Sequence, residues 1–81
     1  MNEQQKQLLA EINIQFANSA VARAANLGQW AEAAEQAAGA GAWGLWAACR
    51  KAASLPSDAT AAAELLAVFK VREKARFANR R

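Results

Sequence analysis

The chain has no histidine and no tyrosine, and only one cysteine (Cys49), one aspartate (Asp58) and one proline (Pro56) among its 81 residues. Without imidazole, phenol or a second thiol, the usual pairs of base and nucleophile cannot be assembled. The same shortage leaves a metal ion without a plausible set of ligands. Cys49 has no disulfide partner in the chain and no cation-rich neighbourhood, so it reads as a buried, inert thiol. Glu11, Glu32, Glu35, Glu64 and Glu73 show only ordinary helix-surface spacing. The glycines at 39, 41 and 44 do not make a dinucleotide fingerprint, and no strand precedes them. No enzyme activity, cofactor or metal is therefore expected.

Long apolar runs are also missing. The longest stretch free of polar side chains, residues 37–49, is 13 residues long, well short of the roughly 20 that span a bilayer. The N-terminus lacks a basic start followed by an apolar segment, so no signal peptide is expected. These two absences predict a cytoplasmic protein with no membrane association.

What the chain has in abundance is alanine. Of its 44 apolar residues 24 are alanine, which leaves 20 larger side chains to drive collapse. At about 25 cal/mol per Å² of buried apolar surface, alanine contributes little, so a homodimer or a bound partner is expected to complete the core. Helix propensity, in contrast, is high. β-Branched residues are confined to Ile12, Ile14, Val21, Thr60, Val68 and Val71, and no β signal is present.

The expected fold is all-α: one domain, residues 1–81, of three to four antiparallel helices in a small bundle. Asn2 and Gln5 have the spacing of a capping box, and Gly28 is placed to stop the first helix. On a helical wheel this first helix puts Leu9, Phe16, Ala20, Ala24 and Leu27 on one side, with Glu11, Gln15, Asn18, Ala22 and Asn26 opposite. Asn13 lies within the apolar stripe, either at a solvated edge or as a register-fixing buried polar group. The second segment, residues 29–54, is one long helix or two short ones broken near Gly39 and Gly41, since each glycine costs a helix interior about 1 kcal/mol relative to alanine. Pro56 ends what precedes it, and Ser57 or Asp58 caps a last helix reaching about residue 78.

The run Asn26-Leu27-Gly28-Gln29-Trp30-Ala31-Glu32-Ala33, followed by Ala40, resembles the turn and second helix of a tetratricopeptide repeat. The resemblance covers roughly residues 10–42, about one repeat. It lacks a second copy at the repeat's period and the closing proline near Ala42. It implies a helical hairpin and protein recognition.

Two features could carry a function. On one uninterrupted helix Trp43 and Trp46 project toward Glu32, Glu35 and Arg50, as an exposed aromatic patch for a partner; a break near Gly39 and Gly41 resets the phase and turns both rings into the core. In the last helix Ala62, Leu65, Leu66 and Phe69 share a face that continues as Arg72, Arg76 and Arg80, with Lys70, Lys74, Phe77 and Arg81 adjoining. Residues 1–40 carry a net −2 and residues 41–81 a net +5. Such a ladder serves solubility and the helix dipole, an acidic protein surface or the chain's own acidic N-terminal half, or phosphates. The expectation is a small helical module that binds another protein, an adaptor, inhibitor or co-chaperone of the kind an accessory gene or a phage encodes. Trp43, Trp46, Arg72, Arg76 and Arg80 are its candidate contacts. The alternative is nucleic-acid binding through Lys70, Arg72, Lys74, Arg76, Arg80 and Arg81.

Overall fold

The computed structural model describes residues 1–78, with side chains through residue 75, and its secondary structure there is entirely helical. Five helices follow one another: α1 (Glu3–Gln15), α2 (Ala20–Asn26), α3 (Trp30–Gly39), α4 (Trp43–Ala52) and α5 (Ala59–Ala78). The all-α class is as expected. The number of helices exceeds the expected three to four because the first helix is interrupted.

The start of α1 is a complete capping box: the Asn2 side chain accepts from the Gln5 amide at 2.8 Å and the Gln5 side chain accepts from the Asn2 amide at 3.1 Å. The helix stops at Phe16, however, and the chain does not run on to Gly28. Asn18 adopts φ +65°, a left-handed conformation that asparagine tolerates better than most residues. Ser19 then caps α2, its hydroxyl accepting from the Ala22 amide at 3.1 Å. This interruption resets the helical phase. Ala22, placed on the outer side by an unbroken wheel, is buried, while Leu27 on the supposed inner side is 74% exposed. Asn13 is exposed too, and it pairs across the break with Asn26, whose side-chain amide donates to Asn13 Oδ1 at 2.9 Å.

Beyond α2 the same stop signal recurs every thirteen residues. Positive φ falls at Gly28 (+76°), Gly41 (+79°) and Ser54 (+58°). At each, the chain closes the helix with the paired bonds of a Schellman turn. Gly28 donates to Ala25 and Gln29 to Ala24, Gly41 to Ala38 and Ala42 to Ala37, Ser54 to Lys51 and Leu55 to Arg50, all between 2.8 and 3.0 Å. The first two turns each deliver a tryptophan, Trp30 or Trp43, as the first residue of the next helix. After the third stands Pro56, and a new helix begins only once Asp58 accepts from the Ala61 amide at 2.9 Å.

The core fits this arrangement of short helices. α3 packs on both α2 and α4, and α1 on α2 and α4. Ala33, Ala34, Ala37 and Ala38 of α3 are buried, facing Ala24 and Ala25 of α2 and the larger Trp46 and Cys49 of α4 within one cluster. Alanine side chains allow such helices to approach closely, and Trp30, Trp46, Ile12 and Val21 supply most of the bulk. α5 lies against the cluster through buried Ala61 and half-buried Ala62, Leu65 and Phe69.

Candidate functional site

The break at Gly41 decides the fate of the tryptophans. Trp46 is 4% exposed and belongs to the core, whereas Trp43 is only half-buried. Their rings meet edge to face, centroids 5.3 Å apart at 68°, the geometry in which the positive rim of one ring meets the negative face of the other. The Arg50 guanidinium lies 5.7 Å from the centre of the Trp46 ring. Its Nε also donates to the Pro56 carbonyl at 2.8 Å. Arg50 thereby ties the end of α4 to the linker before α5. Of the two candidate tryptophan contacts, only Trp43 keeps surface to offer.

α5 presents the other candidate side chains. Its inward face holds Ala61, Ala62, Leu65 and Phe69, but apolar residues also occur around the rest of the helix. Leu66, Val68 and Val71 are 46%, 42% and 68% exposed. Lys70, Arg72 and Lys74 are exposed among them. Arg76 falls in α5 beyond the described side chains, and Arg80 and Arg81 lie outside the described residues.

Among several concave surfaces, two bear on the α5 side chains and on the core. One is a groove of about 540 Å³ lined by Gly39 at the end of α3 and by Leu66, Phe69, Lys70, Arg72 and Glu73 of α5. The other, about 360 Å³, runs between α1 and α4, with Leu8, Ile12, Phe16 and Leu45 on its floor and Glu11 and Gln15 at its edge. Lys70 and Arg72 both line the groove beside α5, two residues apart on the helix and so on opposite sides of its Leu66 and Phe69 stripe, and the tryptophan pair is not part of that groove. Sequence reasoning passed over Gly39 as a wall of the site, and over Val68 and Val71 as exposed apolar surface. The signal for the valines was available, since both fall off the inward stripe of α5 on the wheel. No sequence signal places Gly39 beside Leu66.

Cys49 is buried, and burial pushes its thiol from the usual 9.0 up to about 11. It is a poor nucleophile at neutral pH. No helix among the described residues is long and apolar enough to cross a membrane.

No known family model matches the chain, and no curated protein or solved structure shows significant similarity to it.

Proposed function

We propose that this chain is a non-enzymatic helical module that acts by docking on a partner protein through α5. One observation carries the reading: Leu66, Val68 and Val71 stand exposed on α5, interleaved with Lys70, Arg72 and Lys74. A helix with apolar residues all round is normally buried, and this one is buried along one side only. Trp43, half-buried at the start of α4, adds an aromatic anchor of the type that dominates interface energetics. The tetratricopeptide-like stretch at residues 10–42 points the same way, toward protein recognition. A homodimer is part of the proposal, because self-association would bury apolar surface that the alanine-rich core leaves uncovered.

Nucleic-acid binding is the less favoured reading of the same helix. Phosphate contacts want an uninterrupted basic surface, and here apolar side chains and Glu73 intervene. The test is affinity capture from lysate of the source cells, with nuclease, comparing the wild-type chain with a Leu66→Ser, Val71→Ser variant. A partner protein retained by the wild type through nuclease treatment, and lost by the variant while its circular dichroism is unchanged, is the expected result. Capture indifferent to the variant, or abolished by nuclease, overturns the reading.

A further inference from the structure

We propose that the groove between the C-terminal end of α3 and α5 receives an amphipathic helix of the partner protein, with its apolar stripe on Leu66 and Phe69 and acidic side chains toward Lys70 and Arg72. This rests on the protein-docking reading above and specifies the chemistry of the partner.

The occupant is a helix on structural grounds. Peptides bind folded domains chiefly by adding to a sheet edge, by lying as a helix in an apolar groove, or as polyproline in an aromatic-lined one. There is no strand among the described residues to extend. The groove has Leu66 and Phe69 in its lining and a volume of about 540 Å³. Its wall is completed by a residue with no side chain, Gly39. A Cβ placed there meets no atom within 4 Å, so the space beside it is open.

The occupant is acidic on electrostatic grounds. Lys70 and Arg72 flank the Leu66 and Phe69 stripe at opposite lips, and Glu73, in line with the stripe, is the one acid among the lining residues. Over the described residues 70–75 the chain carries three basic side chains, Lys70, Arg72 and Lys74, and one acidic, Glu73. An excess of one sign beside an apolar cleft steers an oppositely charged partner and disfavours like-charged ones. The α1–α4 groove lacks this bias, having Glu11 and neutral Gln15 at its edge. A phosphate backbone would gain the lips but leave Leu66 and Phe69 uncovered, and a bilayer surface does not enter a concave cleft.

Gly39 supplies the decisive variant. Gly39 lines the groove and a Cβ there meets no atom within 4 Å, so Gly39→Leu adds bulk at the groove wall, and it replaces glycine at the last position of α3 by a better helix former. Stability should hold or rise while binding falls, a combination that a purely structural role for Gly39 does not produce.

The probe is a fluorescein-labelled helical peptide about four turns long, with leucines at three- and four-residue spacing on one face and glutamates flanking them. Anisotropy is read against the full chain, beside a scrambled peptide, a lysine-for-glutamate peptide, a duplex DNA and phosphatidylserine vesicles. The acidic amphipathic peptide should bind at least about tenfold more tightly than either control peptide, about 1.4 kcal/mol. Gly39→Leu and Lys70→Glu should each weaken it by a similar factor, Gly39→Leu without lowering the melting temperature. Equal affinity for the scrambled peptide, indifference to Gly39→Leu, or displacement of the peptide by DNA or vesicles at lower concentration would overturn the proposal. If the peptide fails yet the nuclease-resistant complex is still lost with Leu66→Ser, Val71→Ser, the helix-in-groove inference falls and protein docking stands. If that complex is absent too, both fall.

Discussion

Gly39 and Gly41 are two residues apart, yet alanine at each should change stability in opposite directions. Gly41 holds φ +79° between α3 and α4, where a side chain costs about 1–2 kcal/mol. Restricting the unfolded chain returns about 0.4–1 kcal/mol of that, so Gly41→Ala should destabilise by about 1 kcal/mol. Gly39 is the last residue of α3, with an ordinary helical backbone and nothing within 4 Å of an added Cβ. Gly39→Ala should therefore stabilise by up to about 0.5–1 kcal/mol. The gap between the variants approaches about 2 kcal/mol, which for a domain of this size separates their melting temperatures by about 10 °C. Urea titration followed by circular dichroism measures it directly. Two variants that shift the midpoint in the same direction, or a stabilising Gly41→Ala, would refute the left-handed stop and with it the break that buries Trp46.

Other expectations follow from the same geometry. Ser54 occupies at φ +58° the place that glycine fills in the two preceding turns, so Ser54→Gly should raise stability by about 0.5–1 kcal/mol, readable as a higher urea midpoint. Trp46→Ala removes a ring that is 4% exposed and should cost about 3–5 kcal/mol, enough to unfold a marginal domain. Trp43→Ala, half-buried, should cost clearly less, and equal losses in thermal melts would contradict the different burial of the two rings. Burial raises the Cys49 thiol to about 11, so the folded state holds this proton more tightly than the unfolded chain. Its contribution to stability is complete below about pH 9 and is lost as pH rises toward 11. Stability of the wild type should fall over that window, and Cys49→Ala should remove that fall; labelling by a thiol reagent at pH 8 should be slow until denaturant is added.

Local signals in the chain were legible one at a time. The Asn2 and Gln5 capping box, the stop at Gly28 and the Pro56-to-Asp58 restart are where backbone chemistry puts them, because each is decided by residues within one turn, whereas the break near Gly39 and Gly41 is one of two readings the sequence leaves open. The break at Asn18 and Ser19 is equally local, an asparagine able to take positive φ followed by a good cap, but a wheel drawn across it treats both as surface positions. That one oversight misplaced Ala22 and Leu27 together, since a phase reset moves every residue beyond it. The Trp43 and Trp46 question could be posed from sequence and was resolved only by the conformation of Gly41. In α5 the inward stripe of Ala62, Leu65 and Phe69 was readable, whereas half-exposed Leu66 was not, because its wheel position lies at the margin of the contact. The groove beside Gly39 depends on where α5 lies against α3, a relation between segments far apart in sequence that no periodicity encodes.

The central claim is that α5 is the surface on which a partner protein docks, and amide hydrogen exchange of the chain alone and in its recovered complex tests it most directly. Added protection concentrated in residues 59–75 and around Gly39, with little change in α1 and α2, is the expected result. Protection confined to α1 and α2, with α5 exchanging as it does in the free chain, would contradict it.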